Sequence, residues 1–168
     1  MRKICLVSDT HGHIDDRMLE MASTSDEIWH AGDFGGGNVS EKLAAAKPLR
    51  GVFGNIDSIS IRMVYPEFLV FAIEEVRVLM IHIAGPFGSY TPAVRNLLEQ
   101  HRPTLLVCGH SHILKIQRDE KRKMLYMNPG AAGKHGFHKV RTMLRFTIDG
   151  KSLTGLEAIE LGLRGAID

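Results

Sequence analysis

Residues 4–13 read ICLVSDTHGH. Ile4 to Val7 are apolar and β-prone, and no apolar residue occurs from Ser8 to His13. The stretch predicts a short buried strand that ends abruptly in a carboxylate and two imidazoles. An Asp-x-His pair at a strand end brings Asp9 and His11 within reach of one hard or borderline metal ion. The pair alone is a weak signal, and its weight comes from recurrence along the chain.

The next apolar runs end in the same manner. Asp26–Ala31 (DEIWHA) leads to Gly32-Asp33, and Leu49–Phe53 (LRGVF) to Gly54-Asn55-Ile56-Asp57. Val76–Ile83 ends near His82, and Thr104–Cys108 (TLLVC) leads to Gly109-His110-Ser111-His112. The intervals from His11 to Asp33, to Asn55, to His82 and to His110 are 22, 22, 27 and 28 residues. These are the lengths of compact strand–connection–strand units. Ligands of open α/β sheets bind outside the carboxyl ends of the strands. Here those ends carry Asp9, His11, Asp33, Asn55, His82, His110 and His112. Imidazole with carboxylate and amide oxygen suits Mn, Fe, Zn, Co or Ni, and no thiolate is placed among them. Seven ligands exceed the four of a structural zinc site. They suit two ions if one carboxylate bridges, and a two-ion clamp is a phosphoryl-transfer device. Gly32, Gly54 and Gly109 each precede a ligand and are expected to allow a tight turn from strand to site.

Between the strands, Ile14–Ala22 has the apolar spacing of an amphipathic helix with Asp15 and Asp16 in its first turn. A second helix is expected over Val39–Ala46, capped by Asn38 and stopped by Pro48. A third covers Thr91–Gln100, with Thr91 as cap and Pro92 at the first helical position. Pro66–Ile73 and Val76–Ile83 flank Glu74-Glu75 as a hairpin. Ile113–Gln117 and Met124–Met127 flank a charged tip, and Asn128-Pro129-Gly130 reads as a turn. Lys139–Ile148 and Leu153–Glu160 flank Asp149-Gly150, a strong hairpin signal. The first half thus alternates strand and helix, and the last third is mostly antiparallel strand. One α/β domain over residues 1–168, with two sheets and outer helices, is the simplest assembly.

Composition limits the partners. The 168 residues suffice for one compact domain with a real core. A hydrophobic share of 44% and a charged share of 24% are those of a soluble globular chain. A net charge of +2 gives no argument for nucleic acid or an anionic membrane. The basic run at Lys115–Lys123 is interrupted by acids and reads as a solvated hairpin tip. Cys5 and Cys108 lie in apolar runs and read as buried free thiols. No signal peptide or membrane-length apolar run is present, so a cytoplasmic location is expected. Trp29 reads as core rather than substrate platform and His30 as half-buried; His135 and His138 follow a Gly-rich stretch and could line the rim of the site, with a solvated loop the better reading for both.

Asp9-Thr10-His11-Gly12, Gly32-Asp33, Gly54-Asn55-Ile56-Asp57, His82 and Gly109-His110-Ser111-His112, in that order, resemble the calcineurin-like metallophosphoesterase signature. The match covers nearly the whole chain and is similar to the small bacterial and archaeal phosphodiesterases of the YfcE type. The resemblance implies a four-layer α/β/β/α sandwich of two mixed sheets flanked by helices, with a dinuclear site at its edge. It implies that Asp9, His11, Asp33 and His112 bind one metal and that Asp33, Asn55, His82 and His110 bind the other, with Asp33 bridging. Asn55 would also contact the substrate phosphate, and a metal-bound hydroxide would attack phosphorus in line. Two divalent ions are expected, Mn2+ first, with Zn2+, Fe2+, Ni2+ or Co2+ as alternatives.

Two positions depart from that pattern. Ile56 stands where many relatives carry a His that protonates the leaving oxygen. This implies a preference for leaving groups that need little protonation, and His13 is the nearest spare imidazole that could act as acid. A surface role for His13 is the other reading. Ile83 stands where relatives carry Gly, so either the strand end follows another path or the second metal is held less well. The expected activity is a divalent-metal-dependent phosphodiesterase acting on a small phosphoester. The alternatives are a phosphomonoesterase or nucleotidase, or a non-catalytic scaffold resembling the Vps29 subunit of retromer. The runs Phe68–Ile73 and Val76–Ile81 could cover a second copy in a homo-oligomer, and core packing explains them as well.

Overall fold

The computed structural model describes residues 1–165. Two five-stranded sheets face each other. The first has the order β10-β9-β1-β2-β3, with β1 (Arg2–Val7), β2 (Glu27–His30), β3 (Leu49–Gly51), β9 (Val140–Asp149) and β10 (Ser152–Leu163). The second has the order β4-β5-β6-β8-β7, with β4 (Phe68–Ile73), β5 (Val76–Ile81), β6 (Leu105–Val107), β7 (Leu114–Asp119) and β8 (Met124–Pro129). β1, β2 and β3 run parallel, as do β5, β6 and β8, while β9, β10, β4 and β7 pair antiparallel with their neighbours. Both sheets are therefore mixed.

Strand alternation divides the interior into three layers of packing. From β1, Ile4 and Leu6 face the inter-sheet core with Trp29, Val78, Met80, Leu105, Val107 and Phe146. Cys5 and Val7 face the opposite way, onto α1 (Asp16–Ser23) and α2 (Val39–Ala46) through Met18, Ala22, Val39 and Leu43. On the second sheet, Leu79 and Leu106 pack outward under α4 (Pro92–His101) through Val94 and Leu98. The four-layer α/β/β/α sandwich expected from the sequence is the observed architecture. Trp29 lies in its centre, between Phe71 and Phe146, and its indole N–H donates to Glu27.

Several local expectations need correction. Asp15 is the N-cap of α1 rather than part of its first turn, and its carboxylate accepts from Met18 N–H. Asn38 precedes α2 in a left-handed conformation and makes no side-chain cap bond. A six-residue helix, α3 (Ile59–Val64), capped by Ser58, fills what the sequence left between Asp57 and Pro66. It escaped notice because none of its residues is buried, so it lacks the apolar periodicity that marks a core-facing helix. Asn128 and Pro129 close β8 rather than form a turn. His30 is fully buried, not half-buried. No helix among the described residues is long and apolar enough to cross a membrane.

Candidate metal centre

The parallel strands deliver the polar residues to one edge. Beyond β1, the Asp9 and His11 amides donate to the carbonyls of Gly32 and Asp33 beyond β2. Beyond β6, the Gly109 amide donates to the His82 carbonyl beyond β5. The two sheets are joined at this edge by the His110 amide, which donates to Asp9 Oδ2. His82 Nδ1 lies 2.7 Å from the Ala31 carbonyl of the other sheet. A carbonyl only accepts, so Nδ1 carries a proton and Nε2 faces the site; burial lowers the ring's pKa, but Asp33 and Asp9 outweigh it and raise it above its ordinary value.

Two groups of ligand atoms result. Asp9, His11 and His112 form one, and Asp33, His82 and His110 the other, each with its atoms within 4.8 Å of one another. Asp33 Oδ2 joins them, at 3.4 Å from His11 Nε2 and 3.2 Å from His82 Nε2. His112 Nε2 lies 3.1 Å from Asp9 Oδ1, and Asn55 Oδ1 lies 3.0 Å from His110 Nδ1. Ligands about 2.1 Å from one ion, at angles between square and tetrahedral, stand roughly 3.0–3.4 Å apart. All four separations fall in that interval. The structure therefore brings together all seven residues expected from the sequence.

The other oxygens of the carboxylates are already used. Asp9 Oδ2 accepts from Ser8 Oγ at 2.6 Å as well as from His110, and Asp33 Oδ1 accepts from the Ile56 amide at 3.1 Å. Asp9 Oδ1, His11 Nε2 and His82 Nε2 are buried and lack any hydrogen-bond partner. Such atoms are costly unless something satisfies them, and here they converge on the shared space. Burial pulls the Asp9 carboxyl upward, but the neighbouring His11, His112 and His82 imidazoles and the Ser8 hydroxyl outweigh it and hold it well below the carboxylate range. Burial likewise raises Asp33, and His82 with the Ile56 amide brings it below its ordinary value. Both remain anionic, as cation ligands must.

The backbone is bent for this purpose. Asp9, His11, Asp33, His110 and His112 all have φ between 45° and 69°. Side-chain-bearing residues avoid that region at a cost of about 1–3 kcal/mol each, and such strain concentrates at functional sites. The glycines before the ligands serve by their lack of a side chain more than by turning. Gly54 and Gly109 have no left-handed φ; a Cβ on Gly54 would lie 2.7 Å from Asp33 Cγ, and one on Gly109 2.7 Å from Asp9 Oδ2. Only Gly32, at φ +100°, has the left-handed φ that lets glycine make such a turn.

Buried polar side chains brace the loops. The Asp57 carboxylate accepts from the amides of Gly35 and Gly54. Asn128 donates to Gly109 O and Ser111 Oγ and fixes the His110–His112 loop, a role that a turn-forming Asn-Pro-Gly does not reveal in sequence. His30 receives the Gly32 amide at Nδ1 and donates from Nε2 to Thr10 Oγ1; burial drops its pKa to about 3 and keeps it neutral.

The open cavity over the centre, about 440 Å3, is lined by His11, Asp33, Asn55, His110 and His112 among others. His135 and His138 line it too, on a loop where His135 is exposed and His138 part-buried, so both the rim and the loop readings hold. Their rings pack against His11 and His112 at centroid distances of 4.9 and 5.2 Å. His13 lies elsewhere: it does not line the cavity, and its Nε2 pairs with Asp15 Oδ2 at 3.0 Å. The geometry thus supports the surface reading of His13. Ile83 follows His82 directly and is part-exposed.

A family model for the calcineurin-like phosphoesterase superfamily domain matches residues 2–151. No curated protein sequence matches the chain. Among solved structures, an archaeal phosphodiesterase superposes with a TM-score of 0.74 at 18% identity, covering 95% of this chain and 99% of that one. Wild-type Vps29 of Entamoeba histolytica, complexed with zinc, gives 0.74 at 16%, covering 95% and 98%. A predicted phosphoesterase of Streptococcus pneumoniae gives 0.65 at 20%, covering 95% and 97%. These likenesses concern the fold. The family model spans residues 2–151 and takes in all seven residues gathered at this edge, so the chain belongs to the calcineurin-like phosphoesterase superfamily.

Proposed function

We propose that the chain is a divalent-metal-dependent phosphodiesterase with a two-ion centre. The observation that carries this reading is the pair of ligand groups joined by Asp33 Oδ2, which faces His11 and His82 at once. Asp9, His11 and His112 would hold one ion and Asn55, His82 and His110 the other, with Asp33 shared. Two ions so placed neutralise phosphoryl charge and acidify water at neutral pH. Mn2+ is the first choice, and the same nitrogen and oxygen donors suit Zn2+, Fe2+, Co2+ and Ni2+.

The chain's own residues do the remaining work. Ser8 and the Ile56 amide hold the outer carboxylate oxygens, so that Asp9 Oδ1 and Asp33 Oδ2 are aimed before substrate arrives. Asn55, exposed at the mouth, is placed to meet a phosphate oxygen with its amide. Ile56 puts an aliphatic side chain where a proton donor would stand, which favours leaving groups that depart as weak bases. Among the described residues no lysine or arginine lines this cavity, and its rim carries Ile56, Ile113 and Phe137. A singly charged diester needs less compensation than a doubly charged monoester, so the lining favours diesters.

The test uses chelator-stripped protein re-supplied with Mn2+, with bis(p-nitrophenyl) phosphate and p-nitrophenyl phosphate as substrates and Asp33→Ala alongside. Metal-dependent diester turnover that the variant loses is the expected result. Turnover of the monoester alone would make the chain a phosphomonoesterase or nucleotidase. Absence of both turnover and metal binding would leave a scaffold in the manner of Vps29.

A further inference from the structure

A second cavity, about 380 Å3, adjoins the metal centre. Phe53, Ile81, Ile83, Thr91 and Ala93 line it, with Arg62 and Glu67 also in its wall. Asn55 lines both this cavity and the one over the centre, and His82 stands in its wall as well, so the two cavities adjoin at the expected phosphate position. The Arg62 guanidinium is tied down: it donates to the carbonyls of Asp57, Gly54 and Asn55 and lies 4.5 Å over the Phe53 ring. It therefore acts as part of a rigid wall. Ile83, the departure from the family pattern, contributes a part-exposed aliphatic side chain to this wall, next to His82.

We propose that this cavity receives an uncharged aromatic ester group of the phosphodiester, and that Ile83 is a specificity-determining residue. The proposal rests on the phosphodiesterase reading and adds the chemistry of one ester arm to it. The walls from Phe53, Ile81, Ile83 and Ala93 are apolar, and the cavity opens beside Asn55 rather than onto a remote surface. Mostly apolar walls with a few placed polar groups are the usual make-up of a pocket for a ring-sized group. A phosphate held at the centre would thus present one substituent directly to the cavity. A compact substituent such as a methyl group would leave most of it filled with water.

The test is calorimetric binding of three anions to the Mn2+-loaded protein: diphenyl phosphate, dimethyl phosphate and inorganic phosphate. Diphenyl phosphate should bind at least about tenfold more tightly than dimethyl phosphate, a modest share of what burying an aromatic ring supplies. Ile83→Ser removes the apolar wall without adding charge near the ions. Ala93→Trp fills the cavity from an exposed position on α4. Each should cut the diphenyl preference at least about fivefold and leave inorganic phosphate binding unchanged. A wild-type protein without the preference, or variants that both keep it, would overturn the pocket while leaving the phosphoesterase reading intact. Failure of the metal-loaded protein to bind any of the three anions would overturn that reading and the pocket with it.

Discussion

Gly54→Ala is the smallest change that tests whether the Asp33 carboxylate is the shared element of the centre. Gly54 does not have a left-handed φ, so an alanine there meets no backbone strain and acts through space alone. Its Cβ would sit 2.7 Å from Asp33 Cγ and closer still to Asp33 Oδ1 and the Asp33 amide. Carbon contacts settle at about 3.5–4.0 Å, so the carboxylate must retreat by roughly 1 Å. The amide lies on the backbone and cannot swing aside like a flexible side chain. Overpacking of this kind costs about 1–3 kcal/mol of stability. A ligand carboxylate moved by that distance should weaken ion binding about 10- to 100-fold, as loss of a supporting bond does. The measurements are ion stoichiometry and affinity by titration calorimetry, urea unfolding, and diester turnover, which should fall about 100-fold. Gly36→Ala is the control, since its Cβ would meet nothing within 4 Å; it should leave all three unchanged. If Gly54→Ala bound two ions per chain with wild-type affinity and kept its turnover, the placing of Asp33 between the ions would be wrong.

Other outcomes follow from the same geometry. His13→Ala should keep wild-type turnover even on a diester with a poor leaving group, and lose about 1 kcal/mol of stability as Asp15 gives up one of its partners. A large rate loss confined to poor leaving groups would restore His13 as the acid. Mn2+ at a hundredfold excess over its Kd should stabilise the chain by about 2.7 kcal/mol and raise Tm by about 5–10 °C, an effect reversed by chelator; an unshifted Tm would count against the two-ion centre. Burial raises the Asp119 carboxyl, but bonds from the Tyr90 hydroxyl and Arg122 outweigh it, so its folded pKa lies below the ordinary value. A depressed carboxyl contributes stability that is full above its unfolded pKa of about 3.9 and is lost as pH falls through the folded value. Asp119→Asn should therefore lower the free energy of urea unfolding at pH 7 by about 1 kcal/mol and matter less at pH 3. An equal loss at both pH values would refute the assignment.

What the sequence reveals depends on where each interaction is encoded. Strand ends are legible because apolar runs stop at polar residues, and a parallel sheet brings such ends to one edge. That logic alone places Asp9, Asp33, Asn55, His82 and His110 together. Bracing is less legible. Asn128 reads as a turn residue, yet it holds the His110 loop across the fold, a partner 17 to 19 positions away. His30 lies in an apolar strand and gives no local sign that the Gly32 amide and Thr10 will fully satisfy it. His135 and His138 follow glycines in a polar loop, and only the path from β8 to β9 carries them over the centre. The misreading runs the other way for His13. It lies two residues from a ligand in sequence, but the helix cap at Asp15 draws it off. Sequence proximity misleads wherever a local cap competes with a distant site.

The choice between enzyme and scaffold can be argued from energy as well as likeness. A binding scaffold needs a surface, and nothing about a surface calls for five side-chain-bearing residues at φ of 45–69° around one point. At about 1–3 kcal/mol each, that strain is comparable with the whole stability of a domain. Three buried ligand atoms, Asp9 Oδ1, His11 Nε2 and His82 Nε2, add the penalty of unsatisfied polar groups, about 1–3 kcal/mol apiece. Apolar replacements would relieve these costs without disturbing the sheets, whose core lies in other residues. Bound cations offset both terms at once, because they satisfy the orphaned atoms and reward the bent backbone that aims them. Tight ion binding should therefore stabilise the chain far more than it would a protein whose ligands sit relaxed on its surface. An Asp9→Asn, Asp33→Asn double variant separates the two accounts. If the centre exists for ions, the variant should lose nearly all of the Mn2+-induced rise in Tm. If the polar edge is a structural feature of a scaffold, Mn2+ should raise the Tm of neither the variant nor the wild type.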